Sequence, residues 1–458
     1  MTKSTSISAA AFLSLAACAS SFVLPESAAS QRPLRGSHPS VDITAPGGGN
    51  FRWPGLPSTG SFDESRFGLE DAPADHVHAA IDSLVNEVQT ARGRVHDEFA
   101  KVFGFGDGLA DISTDHHSPH HPGDTANFTI YQLISSSQHT TKFAKIVDKH
   151  PSIVDLLNST DANYTLFVPT DEAFAEIPDD HPDPPKEYVE DVLRYHIGLD
   201  KYSAGKILST YTIPSALNEK FLGGEPQRLR TSFGLGGVKI NFYSKVVAAD
   251  IAASNGVIHG VNHILIPPPF IGGILNLFPN RFSTLLLAYE KTDFVKFLHS
   301  VKSDGNTVFA PTNGAFAWLG PKANAFLFNT EQGKKYLSAL LKYQIVPDVT
   351  LYTDAIYDER KGEDSSSNMG YQSEHYDLPT LLGDARIGVD IARIFGFATM
   401  KVNGFTQVIV ANGIGKNGVI QVVDQVPLPP YKHKSAAEEM FGDVDVEELK
   451  ERLEPYLE

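Results

Sequence analysis

The sequence predicts an α+β fold made of two tandem copies of one domain. The clearest repeat pairs Tyr164–Phe174 (YTLFVPTDEAF) with Asn306–Phe316 (NTVFAPTNGAF). Two further segment pairs keep the same order in both halves: Leu193–Ile197 with Leu341–Ile345, and Asn255–Pro268 with Asn417–Pro430. Helical spacing of apolar residues comes first in each copy and strand-like runs follow. Copies of roughly 150 residues have the size of independent domains, not of solenoid repeats.

In both copies the repeated segment predicts a strand, a stop and a helix start. A run of β-branched and aromatic residues ends at Pro169 or Pro311, which cannot donate to a sheet ladder. Thr170 and Thr312 then stand where a helix N-cap is expected. Each unit therefore predicts a buried strand followed directly by a capped helix.

These segments resemble the fasciclin-like domain, a family found in secreted and surface adhesion proteins. Thr165–Phe174 resembles the first conserved motif of the family and Gly256–Pro268 resembles the second. Tyr195 and His196 stand where the family carries its Tyr-His pair. The resemblance implies a β-sandwich flanked by short helices in each copy. It covers two stretches: residues 124–268 and residues 280–430.

Tyr195 and His196 are the candidate binding residues, because the resemblance associates their region with adhesion to partner proteins. An alternative interpretation is that His196 closes a helix, with its ring bonded to backbone groups. Copy two has Gln344 in place of this histidine and Gln421 in place of the second-motif histidine. In the binding interpretation, domain one is therefore the binding copy.

The first 123 residues precede the domains. Residues 1–24 carry an early lysine and a short apolar run, which predict a secretory signal peptide. A rival interpretation is a bacterial lipoprotein box ending at Cys18, the only cysteine in the chain. Residues 25–123 form a low-complexity linker, with helical apolar spacing at about 76–103. That predicted helix either packs on domain one or serves as a dimerisation or propeptide-like element.

The linker also carries four clustered imidazoles: His116, His117, His120 and His121. They are weak candidates for a metal site, because the segment has no apolar support to orient the rings, and a solvated linker is favoured. Three glycosylation sequons follow, with acceptors at Asn127, Asn158 and Asn163. Together with the signal segment they favour a eukaryotic secretory route.

Later segments predict the rest of each domain. Residues 187–197 predict a helix, and three strand signals follow before the hairpin dipeptide Asn255-Gly256. In copy two, residues 357–375 are charged and serine-rich, which predicts a surface loop. Residues 431–458 form a tail ending in an acidic amphipathic helix, with no hydrophobic stretch after it. A transmembrane or glycolipid anchor is therefore not expected.

The motifs of common catalytic sites are missing from the sequence. There is no Gly-x-Ser-x-Gly elbow, no His-Glu-x-x-His zinc helix and no Gly-Lys-Ser/Thr phosphate loop. Gly413–Gly418 matches a dinucleotide pattern by letter, but it leads into a strand and not a helix. The formal net charge of −17 argues against nucleic-acid partners. No cofactor and no enzyme activity are expected.

The sequence thus predicts a non-catalytic adhesion protein of the matrix or cell wall, secreted or at the cell surface. Its partners would be proteins or wall and matrix polymers, and its oligomeric state stays open. One alternative is a vacuolar or secretory-lumen protein with a trafficking or fusion role. Another is a hydrolase or small-ligand-binding protein that uses a cleft between the domains.

Overall fold

A computed structural model describes most of the chain that follows the linker. The described residues are 124–161, 163–175, 184–234, 237–358, 372–394, 397–430 and 444–457. The predicted signal peptide, the predicted helix at 76–103 and the four linker histidines lie outside these ranges. The α+β class is confirmed, because each domain combines leading helices with a β-sheet. Within the described ranges, no helix has the length and apolar character needed to span a bilayer.

Helices lead in both domains. Domain one has Ile130–Ser136 (α1), Thr141–Val147 (α2), Pro151–Asn158 (α3), Lys186–Tyr195 (α4) and Ala204–Leu208 (α5). Domain two has Ile271–Leu277 (α6), Pro279–Lys291 (α7), Phe294–Ser300 (α8), Asn313–Trp318 (α9), Pro321–Asn329 (α10) and Glu331–Tyr343 (α11). The tail adds Val446–Leu453 (α12). Short 3-10 helices lie at Asp124–Asn127, Asp171–Phe174, Lys220–Leu222 and Glu454–Tyr456.

Strands make up the second half of each domain. Domain one has Tyr164–Pro169 (β1), Ile197–Leu199 (β2), Thr212–Asn218 (β3), Pro226–Gly234 (β4), Gly237–Ile240 (β5), Ser244–Ala253 (β6) and Gly256–Val261 (β7). Domain two has Asn306–Pro311 (β8), Ile345–Pro347 (β9), Val349–Leu351 (β10), Ile356–Asp358 (β11), Gln372–Pro379 (β12), Arg386–Ile394 (β13), Phe397–Val402 (β14), Thr406–Gly415 (β15) and Gly418–Val423 (β16).

The strand order differs between the domains at one edge. Strands β1 to β7 close into a barrel in chain order, and β2 joins β3 through the Gly198–Ser215 pair. The sandwich implied by the resemblance is thus closed in domain one. In domain two the order is β12-β13-β14-β15-β16-β8-β9, an open sheet, and β10 with β11 forms a separate two-stranded sheet.

The first and last strands of each domain lie side by side in parallel. Thr165 pairs with Val257 in domain one, and Thr307 pairs with Val419 in domain two. The last strand starts at Gly256 or Gly418, where a Cβ atom would come within 2.0 Å of the carbonyl oxygen of Tyr164 or Asn306. Only glycine allows this approach, because it has no Cβ atom. The φ angles of 155° at Gly256 and 142° at Gly418 are a second reason, since residues with a side chain rarely adopt them.

An asparagine before each of these glycines ties the sheet to the first helix of its domain. The Asn255 side chain accepts a hydrogen bond from the backbone N–H of Ile130 at 2.9 Å and donates to the carbonyls of Leu157 and Ser159. The Asn417 side chain accepts from the N–H of Ile271 at 3.0 Å. The repeated asparagine therefore positions α1 and α6, and it is also the second residue of the two-residue turn that precedes the last strand.

The core of domain two extends to the tail. Leu449 and Leu453 of α12 are fully buried in the same cluster as Leu340 and Leu341 of α11. Arg452 donates from Nη1 to the carbonyl of Pro429 at 3.1 Å and pairs with the Glu448 carboxylate. The acidic tail helix is thus packed against domain two.

The predicted helix after Pro169 is wrong in domain one. Residues 171–174 form one 3-10 turn, and the Thr170 side chain makes no capping bond. Asp171 instead accepts from the N–H groups of Thr141 and Lys142, at the start of α2. In domain two the prediction is confirmed, since the Thr312 hydroxyl accepts from the N–H of Ala315 at 3.1 Å.

Replacing Gly256 with alanine is expected to destabilise domain one by about 2 kcal/mol or more, since overpacking of backbone against backbone leaves no flexible atom to move. Chemical denaturation measures the change. Gly234→Ala is the matched control, because a Cβ at Gly234 meets no atom within 4 Å. Equal stability of the two variants would contradict the close approach of β7 to β1.

Candidate functional site

Tyr195 closes helix α4 and is fully buried in domain one. Its hydroxyl donates to the carbonyl of Arg228 at 3.0 Å and accepts from the Asn241 side-chain amide at 2.9 Å. Asn241 has a left-handed φ of 51°, which turns its side chain back toward the tyrosine. Burial raises the pKa of Tyr195 far above its ordinary value, so this hydroxyl stays protonated.

His196 follows Tyr195 and is also fully buried. Its Nδ1 lies 2.7 Å from the carbonyl of Val192, and its Nε2 accepts from the backbone N–H of Leu265 at 2.9 Å. This pairing assigns the proton to Nδ1 and makes the ring neutral. Burial lowers the pKa of His196 to about 4, against a smaller opposing effect of the bond to Val192.

This geometry limits what the Tyr195–His196 pair can do. Neither side chain has exposed surface, so a partner cannot touch either of them in this conformation. The bonds of His196 are those of a histidine that closes a helix through backbone contacts. That the pair marks a binding region stays a prediction, and any contact would have to be made by residues around it.

Domain two repeats the tyrosine and alters the histidine. The Tyr343 hydroxyl donates to the carbonyl of Arg386 at 3.0 Å and accepts from the Asn403 amide at 2.9 Å. Gln344 is buried, and its Nε2 has no hydrogen-bond partner among the residues that the structure describes. The repeat places Pro427 where domain one has Leu265, and a proline has no N–H to offer. The acceptor nitrogen and the donor N–H have therefore been lost together.

At the histidine of the second motif, by contrast, domain two keeps the hydrogen bonds although the residue is replaced. His259 is fully buried, accepts at Nδ1 from the N–H of Asp250 at 3.2 Å, and lies with Nε2 2.8 Å from the carbonyl of Tyr202. Gln421 accepts from the N–H of Asn412 at 3.0 Å and donates to the carbonyl of Leu351 at 2.8 Å. Glutamine therefore reproduces both bonds of the imidazole without its titration.

A second constellation, which we call the interdomain clasp, comprises Thr212 and Arg228 of domain one and Asp354 and Tyr357 of domain two. The Asp354 carboxylate accepts from the backbone N–H groups of Tyr211 at 2.9 Å and Thr212 at 2.7 Å. It also accepts from the Thr212 hydroxyl at 2.6 Å. One acidic side chain of domain two thus accepts hydrogen bonds from the donors at the start of strand β3 in domain one.

Arg228 is the buried cation of the clasp, with 6% of its surface exposed. Its guanidinium donates to the Thr212 hydroxyl at 2.7 Å, to the Thr212 carbonyl at 3.2 Å and to the Tyr357 hydroxyl at 2.9 Å. Burial alone would lower the pKa of Arg228, but the neighbouring oxygens of Tyr357 and Asp354 outweigh it and raise that pKa. Each of the three guanidinium nitrogens thus donates a hydrogen bond, and a buried charge that is paired in this way fixes the geometry around it.

Further contacts extend the junction on both sides of the clasp. Gln227 donates to the carbonyl of Gly415 at 3.0 Å, and Arg230 donates to the carbonyl of Ala411 at 3.0 Å. Leu222 of domain one is buried in one cluster with Tyr352, Tyr357 and Ile414 of domain two. The two domains are therefore packed directly against each other along strands β4 and β15.

Sequence reasoning missed the clasp because its parts are distant in the chain. Thr212 and Asp354 are 142 positions apart, and neither belongs to a repeated motif. Asp354 lies just before the charged insertion of copy two, where a carboxylate is ordinarily interpreted as a solvated loop residue. Nothing in the sequence marks it as a contact to domain one.

The three predicted glycosylation acceptors all belong to domain one. Asn127, Asn158 and Asn163 are all exposed, and Asn158 accepts a hydrogen bond from the Thr129 hydroxyl at 2.8 Å. Within the described part of the chain, no group of three metal-ligating side chains is placed to hold an ion. The histidine cluster at 116–121 lies outside that part.

Family comparison matches the chain twice. Residues 138–267 and residues 280–429 each match the family model described as Fasciclin domain. A solved FAS1 domain pair from the insect cell adhesion molecule fasciclin I is 18% identical, with a TM-score of 0.28. That alignment covers 63% of this chain and 96% of the insect chain.

Curated relatives differ in how much of their length the chain matches. Aurofusarin biosynthesis cluster protein S of Gibberella zeae is 29% identical over 342 residues, which covers 70% of this chain and 83% of that protein. Protein sll1483 of Synechocystis is 30% identical over 145 residues, covering 31% of this chain and 74% of that protein. Stabilin-2 of Rattus norvegicus is 28% identical over 202 residues, which is 40% of this chain but 13% of that protein.

Replacing Asp354 with alanine is expected to lower the free energy of unfolding by about 3 kcal/mol, because hydrogen bonds to a charged group contribute about 1.5–3 kcal/mol each. The variant should also separate the unfolding of the two domains into two transitions in denaturant. Calorimetry and denaturant titration with a domain-specific probe measure both effects.

Asp384→Ala is the matched control for this prediction, because Asp384 is an exposed turn residue of the same domain. It should unfold as the unaltered protein does. An Asp354 variant that unfolds like the Asp384 control would show that the clasp does not couple the domains.

Proposed function

The chain belongs to the fasciclin domain family, and we propose that it is a non-catalytic binding protein whose two domains act together as one rigid adhesion module. Its partners would be proteins or cell-wall and matrix polymers, as the resemblance of its motifs implies. The observation that carries the proposal is the interdomain clasp, which holds two related domains in one fixed arrangement.

A fixed arrangement matters because two weak sites that are held together bind more tightly than either site alone. The second contact then forms within the complex, at an effective concentration set by the geometry between the domains. A buried arginine and a buried aromatic cluster are costly to separate, so they favour a single arrangement over independent domains. Binding surfaces on both domains would gain from this preorganisation.

The buried titratable groups support a binding role over a catalytic one. His196, His259 and Tyr195 use their polar atoms on backbone carbonyls, backbone N–H groups or an asparagine amide. A general acid or base must instead reach a substrate atom. The alternative, a binding cleft between the domains, is less well supported because the domains pack directly against each other at Arg228 and Leu222.

Charge and sequons bear on where the protein acts. The net charge of −17 disfavours nucleic acid as a partner. Exposed acceptors at Asn127, Asn158 and Asn163 suit a glycoprotein of the secretory route. These sequons support our proposal that the protein acts outside the cell or at its surface, with a vacuolar or secretory lumen as the alternative.

A second candidate is a non-catalytic role in a biosynthesis. It is favoured by the relative from Gibberella zeae, whose name refers to a biosynthesis cluster and whose alignment covers 83% of its own length. Deleting the gene and profiling metabolites tests this candidate. Loss of one product with unchanged cell adhesion would support the biosynthetic role over the adhesive one.

The adhesion proposal predicts that the purified glycosylated full chain is retained on insoluble wall or matrix material from its own source. Asp354→Ala should weaken this retention by about tenfold or more, because uncoupled domains lose part of their avidity. Sedimentation of bound protein over a concentration series measures the change, and Asp384→Ala serves as the matched control. Fractionation with a glycosidase treatment of each pool shows where the native protein resides.

Two results would contradict the proposal. The first is that the unaltered protein is not retained on wall material, matrix or immobilised surface proteins. The second is that the native protein is confined to an acidic internal compartment. Retention that is equal for the Asp354 variant and its control would leave adhesion standing but remove the rigid module from it.

A further inference from the structure

The two domains differ in their buried titratable groups at equivalent positions. Domain one buries His196 and His259, and domain two has Gln344 and Gln421 in their places. Asp250, which donates its N–H to His259, corresponds to the uncharged Asn412. Both Asp250 and Asn412 lie in a bulge between the last two strands of their domain, with φ of 61° and 59°. The backbone is thus the same in both domains, but only domain one has buried side chains at these positions that can take up a proton.

Neither histidine can accept a proton without breaking a hydrogen bond. Nε2 of His196 faces the N–H of Leu265, and Nδ1 of His259 faces the N–H of Asp250. A proton added at either nitrogen would point an N–H at another N–H. The cation would also be buried in a region from which water is excluded, which is costly.

The groups that surround each ring decide how far a charge could be compensated. His196 is packed against the Phe143 ring at 5.5 Å, the Val192 carbonyl and the Leu265 N–H, and no charged side chain contributes to its shift. His259 is stacked on the Phe167 ring at 5.5 Å and bonded to the Tyr202 carbonyl. The Tyr202 phenol stays neutral, because burial raises its pKa. The Asp250 carboxylate favours the protonated form of His259, but burial outweighs it.

We propose that domain one contains an acid-sensitive switch that domain two lacks, so that acidification opens domain one while domain two stays folded. Opening would begin at two places: at His259, between strands β6 and β7, and at His196, which joins the end of helix α4 to Leu265 just after β7. It would then reach the interdomain clasp, because Tyr195 bonds to the carbonyl of Arg228. The module would be rigid at neutral pH and loosened in an acidic medium or compartment.

The direction of the pH dependence follows from proton binding. The folded pKa of His196, about 4, lies below its ordinary value of 6.5, and that of His259 is also lowered. The unfolded chain therefore binds protons more readily than the folded chain. The stability that the neutral histidines contribute to domain one should be fully present above about pH 6.5, and it should decline as the pH falls from there toward about pH 4.

Hydrogen exchange of the full chain between pH 7 and pH 4 tests this proposal without any partner. Protection, corrected for the intrinsic exchange rate at each pH, is compared between strands β6–β7 and strands β15–β16. We expect β6–β7 to lose about tenfold or more protection relative to β15–β16, since one unit of pKa shift corresponds to about a tenfold change in the equilibrium.

Two substitutions should change the acid response of the domains in opposite directions. His259→Gln should keep β6–β7 protected to lower pH, since Gln421 shows that glutamine can make both bonds. Gln421→His should make β15–β16 sensitive to acid, and it provides the test even if the first variant does not fold. Equal loss of protection in both domains of the unaltered chain would overturn the proposal. So would a Gln421→His variant whose β15–β16 strands respond to acid as before.

Discussion

The parallel pairing of the first and last strands is the constraint on which each domain depends. Strands β1 and β7, and likewise β8 and β16, come from opposite ends of their domains. Their pairing requires the backbone of Gly256 or Gly418 to touch the first strand of its domain, where a Cβ would lie 2.0 Å from the carbonyl oxygen of Tyr164 or Asn306. The asparagine before each glycine then holds the first helix of the domain. The two motifs that carry the family resemblance therefore contain the two strands that pair with each other in each domain.

The relation between the domains depends on a different kind of interaction. Arg228 and Asp354 are linked through the Thr212 hydroxyl, which accepts from the guanidinium and donates to the carboxylate. Desolvating such groups is costly unless every polar atom is paired, so the arrangement tolerates few alternatives. Two folded domains with a fixed junction are what the proposed binding role requires, since both would present their surfaces in one arrangement. The buried histidines add a pH dependence to one domain only.

Much of the fold could be predicted from the sequence because repeats and turn residues act locally. The strand that ends at Pro169, the helix over most of residues 187–197 and a hairpin close to Asn255-Gly256 follow from spacing and from proline and glycine chemistry. The structure ends that helix at Tyr195 and places the turn one residue earlier, at Ser254-Asn255. The absence of a cap at Thr170 could not be predicted, since Asp171 instead accepts hydrogen bonds from the start of the neighbouring helix α2. Arg228 and Asp354 gave no signal, because contacts between distant residues leave no local pattern. The burial of Tyr195 and His196 likewise depends on strands that follow them in the chain.

A distance distribution between the two fasciclin domains shows whether they form one rigid module. Cys18, the only cysteine of the chain, is replaced by serine, and the exposed residues Lys201 and Lys322 are replaced by cysteine to carry spin labels. Double electron–electron resonance then measures the distance distribution between the two labels. A rigid module should give one narrow distribution at neutral pH, and that distribution should broaden when Asp354 is replaced by alanine. A broad distribution in the otherwise unaltered protein would contradict it.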